Sequence, residues 1–267
     1  MLYIGGVNPL HPTADNGLLL LGLLLLSATF AFITIKRKSL TVSGAVSAVL
    51  LGNGVIFLSG LSALIPLLIF FGGSHLISRW PMGKKSMSDF KSGKPRDAVQ
   101  VFSNGGVYLA CSLMDYLTGN STSQNAMLVS MAIANADTWS SEVGCRIQGK
   151  TYTFPTFKRT HSGISGGISL AGTFAGMAGA IIIGLYGWIQ FSDLPLLFTL
   201  TATGLGGMFL DSLIGHYFQI KYLDLSTGTW KDHSTRYHAT KGFRLITNDA
   251  ANFWSNLIIT STFILVY

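Results

Sequence analysis

The chain has 267 residues, 49% of them hydrophobic and only 11% charged, with a formal net charge of +7; its mean hydropathy is +0.46. Soluble domains carry about 25% charged residues, so this chain lacks the charge to cover a soluble surface of its length. Gly at 31 residues against Pro at 7 excludes Pro-rich disorder and collagen, which leaves an integral membrane protein.

A membrane-crossing helix needs about 20 apolar residues, with a range of about 17–25. Eight such runs occur in order: Leu18–Ile35, Val42–Leu58, Leu61–Ser78, Ala98–Leu117, Gln124–Cys145, Ile164–Gln190, Leu194–Gly215 and Ala250–Tyr267. They predict an all-α fold: one integral membrane domain over residues 1–267, a polytopic bundle of about eight transmembrane helices. The first run has no basic stretch before it and Lys36, Arg37 and Lys38 after it, the pattern of a retained span rather than a cleaved signal peptide. Ser59-Gly60 makes a very tight link between the second and third runs.

All 18 basic residues fall in alternate connections. Lys36, Arg37 and Lys38 follow the first run; Arg79, Lys84, Lys85, Lys91, Lys94 and Arg96 follow the third. Arg146, Lys150, Lys158 and Arg159 follow the fifth; Lys221, Lys231, Arg236, Lys241 and Arg244 follow the seventh. The positive-inside rule then sets both termini outside and the long basic loops in the cytoplasm, in the cell membrane if the source is prokaryotic. Charge that sets topology gives no reason to expect a nucleic-acid partner. Cys111 and Cys145 lie in or beside apolar runs without Cys-x-x-Cys spacing, as ordinary buried thiols do.

The acidic residues divide by position. Asp15, Asp115 and Asp193 fall at outer ends or loops, where water is available, and Asp89, Asp224 and Asp232 in cytoplasmic loops. Asp97, Asp137, Glu142, Asp211 and Asp249 gather at the cytoplasmic ends of spans four, five, seven and eight. A carboxylate within a span costs at least about 2.5–3.5 kcal/mol, so it has a partner or a task. Asp137 lies about 12 Å inside the end of span five if the helix continues to Cys145. Asp97, Gln100 and Asn104 form one polar stripe, and Asn248 and Asn252 share a face beside Asp249. Asp137 and Glu142 are about 140° apart on an ideal helix, so they share an ion only if the helix unwinds near Gly144. Otherwise Glu142 pairs with a loop Arg or Lys.

Carboxylates, amides and adjoining Lys and Arg make a set suited to phosphoryl transfer. Carboxylates hold Mg²⁺, Mg²⁺ bridges phosphate oxygens, and cations neutralise the remaining charge. Lys158 and Arg159 lead into Gly163, Ser165, Gly166 and Gly167, a candidate phosphate cradle opening span six at a helix N-terminus. Gly163/Gly167, Gly172/Gly176 and Gly179 equally fit small-residue helix packing. Gly144 to Thr151 matches G-x-x-x-x-G-K-[ST] literally, but it closes a helix instead of joining a strand to one, so it reads as a chance match. The histidines have no metal-ligand spacing. Asn120-Ser121-Thr122 is a glycosylation pattern relevant only on a eukaryotic secretory route.

Five segments in this order carry a resemblance: Lys94-Pro-Arg-Asp97 through Asn104-Gly-Gly106; Asn135-Ala-Asp137-Thr-Trp139-Ser-Ser-Glu142-Val-Gly144; Gly163-Ile-Ser165-Gly-Gly167-Ile-Ser169; Asp211-Ser-Leu-Ile-Gly215; and Asn248-Asp249-Ala-Ala-Asn252. Together they resemble the phytyl-phosphate (prenyl-phosphate) kinase family of polytopic membrane proteins, from about residue 40 to the C-terminus. Its members are similar to CTP-using phytol and dolichol kinases and convert an isoprenoid monophosphate to the diphosphate. The resemblance implies Asp137, Glu142, Asp211 and Asp249 as catalytic acids, with Mg²⁺ on Asp137, Asp211 and Asp249. Asp97, Asn104, Asn135, Lys158, Arg159, Gly163, Ser165, Gly166, Gly167 and Asn252 would bind substrate and nucleotide. It implies as partners an isoprenoid monophosphate lipid, a nucleoside triphosphate and membrane lipids; a homo-oligomer stays open. Many members read Gly-Thr-Asn-Gly-Gly where this chain has Gly163-Ile-Ser165-Gly-Gly, which opens the role of Ser165 to question. A transporter or lipid flippase is the alternative, although the acids gather at one face rather than the midplane. A non-catalytic lipid-binding protein is the third, and it leaves the acidic cluster without a use.

Overall fold

A computed structural model describes residues 17–80, 94–147, 149–224, 229–232 and 239–267. Asp15, Asp89, Gln148, His233 and His238 lie outside the described residues. The helices are α1 (Gly17–Lys36), α2 (Val42–Ser59), α3 (Leu64–Ser78, after a 3₁₀ turn at Leu61–Ala63), α4 (Ala98–Thr118) and α5 (Ser121–Arg146). After the strands β1 (Thr151–Thr153), β2 (Lys158–Thr160) and β3 (Gly167–Ser169) come α6 (Leu170–Phe191) and α7 (Leu194–Tyr217). Strands β4 (Lys221–Asp224), β5 (Thr229–Lys231) and β6 (Ala239–Lys241) precede α8 (Asn248–Val266).

The helical bundle matches the sequence reading to within a few residues at most ends, and polar residues explain where helices begin. Thr41, Asp97, Asn120, Ser169, Asp193 and Thr247 each accept a backbone N–H from the first turn of the following helix. Asn120, which begins the glycosylation pattern, is thus the N-cap of α5. Two corrections stand out. Span six starts at Leu170 rather than Ile164, because Gly163 (φ 85°) and Gly166 (φ 83°) leave helical geometry. Asp115, placed by sequence where water is available, is only 8% exposed on α4.

α5 is the axis of the bundle. Residues from Ala126 to Ala136 are buried without interruption, and α3, α4, α6, α7 and α8 all pack on it. Small residues permit this closeness. A Cβ on Gly172 would lie 2.8 Å from the Ser140 carbonyl oxygen, one on Gly176 2.9 Å from that of Ala136, and one on Gly179 3.0 Å from that of Asn135. Gly204 and Gly207 of α7 sit likewise against Ala132 and Ile133. Gly144, the first residue of the P-loop-like match, lies within α5 against Ser169 and Gly172, so it serves helix packing.

Four segments are long and apolar enough to cross a membrane: Val42–Ser59, Leu61–Ser78, Leu170–Phe191 and Leu194–Tyr217. The outward faces of these and of α1 carry exposed Leu, Ile and Phe, among them Leu50, Leu68, Phe174, Phe198 and Leu24. Side chains of this kind are at home in lipid. The described residues of the connections after α1, α3, α5 and α7 meet at one end of the bundle. Arg96 N–H donates to the Ser39 carbonyl at 3.0 Å, Arg146 to that of Ser78 at 2.9 Å, and Ser162 Oγ to that of Gly144 at 3.1 Å. The connections are not wholly irregular: they fold into two antiparallel three-stranded sheets, ordered β2-β1-β3 and β5-β4-β6. This small β content departs from the all-α reading, because strands of three or four residues leave too short a pattern to detect.

Candidate functional site at the loop end of the bundle

The turn from Gly163 to Gly167 enters β3, which pairs Tyr152 with Ile168. Gly166 presses against the end of α7, where a Cβ would lie 2.8–2.9 Å from His216 atoms, including its backbone nitrogen. Its φ of 83° independently favours glycine. The second sheet clamps the turn. Ser165 donates both its N–H, at 3.1 Å, and its hydroxyl to Asp232. Lys221 Nζ donates to the Ser165 carbonyl at 2.8 Å. Lys221 is 5% exposed; burial pushes its pKa down, Asp232 opposes that shift, and Lys241 adds to it. Gly167 N–H is also bonded within the turn, to the Ile164 carbonyl at 2.9 Å. These N–H groups therefore face protein acceptors, and the turn is not the N-terminus of α6. Lys158 and Arg159 lie exposed on β2, paired in register with Thr153 and Tyr152.

Lys221 and Asp232 were visible in the sequence only as loop charges; their shared partner, Ser165, lies far away along the chain. Replacing Lys221 with Met leaves the half-buried Ser165 carbonyl without its charged donor, a loss of about 1–3 kcal/mol. The expected outcome is hydrogen exchange over residues 163–169 faster by roughly five- to a hundredfold, with little change in α5. Unchanged exchange would show that the clamp does not hold the turn.

The intrahelical acids occupy a different part of this end. α5 and α7 pack in parallel register: Gly204 meets Ala132, and Gly207 meets Ile133. Asp137 and Asp211 each stand four residues beyond the Ile133–Gly207 contact, about one turn or 6 Å further along both helices. Both are half-buried. From α8, the Asn252 amide donates to Asp211 Oδ1 at 2.9 Å and to the Asn248 carbonyl at 2.9 Å. Asp249 occupies the first turn of α8, where the helix N-terminus favours a negative charge. One turn after Asp211, a Cβ on Gly215 would come 3.0 Å from Gly166 N. The acids and the clamped turn are thus neighbours along α7.

The other sequence-selected residues have structural partners. Glu142 pairs with Arg146 one turn on and with Arg96 at 3.8 Å. Because α5 stays helical to Arg146, Glu142 and Asp137 address different neighbours, as the unbroken-helix alternative required. Asp97 forms a capping box with Gln100. The Asn104 amide donates to the Gln100 carbonyl at 2.9 Å. Asn135 is fully buried and donates to the Gly179 carbonyl at 2.8 Å, joining α5 to α6. Trp139 lies over Gly73 of α3 and against Gly179 of α6. The block from Asn135 to Gly144 is therefore chiefly a packing surface, with Asp137 one turn beyond Ile133, the residue that meets Gly207 of α7.

Among the described residues, no three His, Cys, Asp or Glu side chains converge tightly enough to hold a metal ion. Among the described residues, Asp137, Asp211 and Asp249 thus form no preformed three-carboxylate cage. The chemistry of the set still suits Mg²⁺, a hard ion that commonly uses one or two carboxylates and draws its remaining ligands from phosphates and water.

A bundle with lipid-facing apolar helices and a polar, sheet-bearing end defines an integral membrane protein. The chain belongs to the family described as integral membrane protein DUF92, whose model matches residues 25–260. It is 30% identical over 198 residues to an uncharacterized membrane protein of Methanocaldococcus jannaschii, covering 74% of this chain and 82% of the relative. It is also 29% identical over 263 residues to Protein PGR of Arabidopsis thaliana, covering 88% of this chain and 91% of the relative. No solved structure matches.

Proposed function

We propose that the chain is a Mg²⁺-dependent kinase that transfers the γ-phosphoryl group of a nucleotide, CTP in this reading, to an isoprenoid monophosphate. The product is the diphosphate of phytol or another prenyl alcohol, made at the cytoplasmic membrane face. The observation that carries this reading is the equal depth of Asp137 and Asp211, with Asn252 bonded to Asp211 and the clamped turn one helical turn away. Asp137 and Asp211 would hold Mg²⁺, whose charge would stabilise the transferring phosphoryl group. Asn252 orients the Asp211 carboxylate, and Asp249 adds negative charge at the start of α8. Lys158 and Arg159, exposed on β2, supply cations for the nucleotide phosphates. Purified protein incubated with radiolabelled CTP, Mg²⁺ and a prenyl monophosphate should give labelled prenyl diphosphate. No transfer from either CTP or ATP would overturn the kinase reading and favour transport.

The same reading requires eight spans with both termini outside and the two sheets inside. Single cysteines placed at Ser121 and Lys150, both exposed, should react with an impermeant maleimide from opposite sides of sealed vesicles. Labelling of both from one side would overturn the topology.

A further inference from the structure

A half-open cavity of about 220 Å³ lies between α1, α2, α3 and α4. Its walls are apolar, with Phe30 from α1, Ile56 from α2, and Leu67 and Phe71 from α3. Midway, Ser27 and Asn53 satisfy each other at 3.1 Å. The loop end differs, because Arg96, Gln100 and Asn104 line it. The Arg96 guanidinium stands 5.7 Å from the Phe70 ring centroid and 3.8 Å from Glu142. The charges of Arg37 and Arg79 reach the His75 ring, which Ser39 Oγ contacts at 3.1 Å. With Arg146, these cations outnumber the neighbouring Asp97 and Glu142.

An apolar chamber with a cationic rim is complementary to a single-chain lipid carrying an anionic head. We propose that this cavity holds the head-proximal part of the lipid chain, with the phosphate directed toward Arg96, Gln100 and Asn104; this rests on the kinase reading. Size supports a partial fit: a dry cavity of about 150 Å³ holds one benzene, so this one encloses about two isoprene units. A longer chain continues into the bilayer. Arg96 joins the rim to the acid-bearing helix, since its partner Glu142, at 3.8 Å, lies on α5 five residues after Asp137.

The full chain in nanodiscs, exposed to a prenyl monophosphate with a diazirine near its head, tests this directly. Crosslinks should map to α1–α4 and be competed by geranylgeranyl monophosphate but not by inorganic phosphate. A Cβ on Gly52 meets only Leu64, at 3.5 Å, so Gly52→Leu fills the chamber without displacing backbone. Gly52→Leu and Ala48→Phe should each cut crosslinking at least about fivefold and raise KM for geranylgeranyl monophosphate about tenfold. Crosslinks elsewhere, or labelling that neither variant reduces, would overturn the proposal even if phosphate is transferred. Labelling at the cavity without any transfer would instead overturn the kinase reading and leave the lipid site standing.

Discussion

Asp137→Asn and Asp211→Asn should each lower phosphoryl transfer by at least about a thousandfold while leaving the protein folded. The substitution keeps the shape of the side chain and removes the charge that would hold Mg²⁺. Folding should survive, because an amide is cheaper than a carboxylate within a membrane. At position 211 the exchange also alters a specific contact, since Asn252 donates to Asp211 Oδ1 at 2.9 Å; the new amide oxygen can still accept that bond. Asp193→Asn is the control. Asp193 caps α7 at the opposite end of that helix from Asp211, and Asn is an equally good N-cap, so near-normal activity is expected. A radiolabel transfer assay at saturating CTP, with size-exclusion profiles to verify folding, separates the outcomes. Near-full activity in Asp137→Asn and Asp211→Asn would remove these acids from the chemistry.

The helices were legible because lipid demands long apolar runs, and their starts were readable where Thr41, Asp97 or Thr247 provides a capping oxygen. Position along a helix also placed Asp137 and Asp211 near one end. What the sequence could not supply was rotation about each helix axis. Gly204 and Gly207 determine that α7 meets α5 on the face preceding Asp137, and this requires the packed pair. Glu142 shows the converse. Its motif resembles that of a site residue, yet Arg146 on the same helix and Arg96 from the α4 entry hold it in ion pairs. The clamp of Ser165 by Lys221 and Asp232 was invisible because it joins residues more than fifty positions apart, and sequence periodicity reports only local neighbours.

Gly176→Leu should impair both folding and activity more than any exposed substitution in the bundle. At Gly176 a Cβ would lie 2.5 Å from Met208 Sδ, 2.9 Å from the Ala136 carbonyl oxygen and 3.2 Å from Ser140 Cβ. Met208 is 2% exposed and Ala136 fully buried, so neither has open space to move into. Overfilling such a core costs about 1–3 kcal/mol, and more where backbone must shift. The damage would spread toward the acids, since Ala136 precedes Asp137 and Met208 lies one turn before Asp211 on α7. A misplacement of about 1 Å at a reacting centre costs roughly a hundredfold in rate, so protein that does fold should lose activity to at least that extent. Gly206→Leu, on α7, distinguishes packing from a general intolerance of bulk in the bundle, because nothing lies within 4 Å of a Cβ there. It should fold and work within about twofold of the parent, as surface substitutions generally do. Thermal unfolding in detergent and the transfer assay together read both effects. If Gly176→Leu matched Gly206→Leu in both, α6 would not rest on the carbonyl edge of α5.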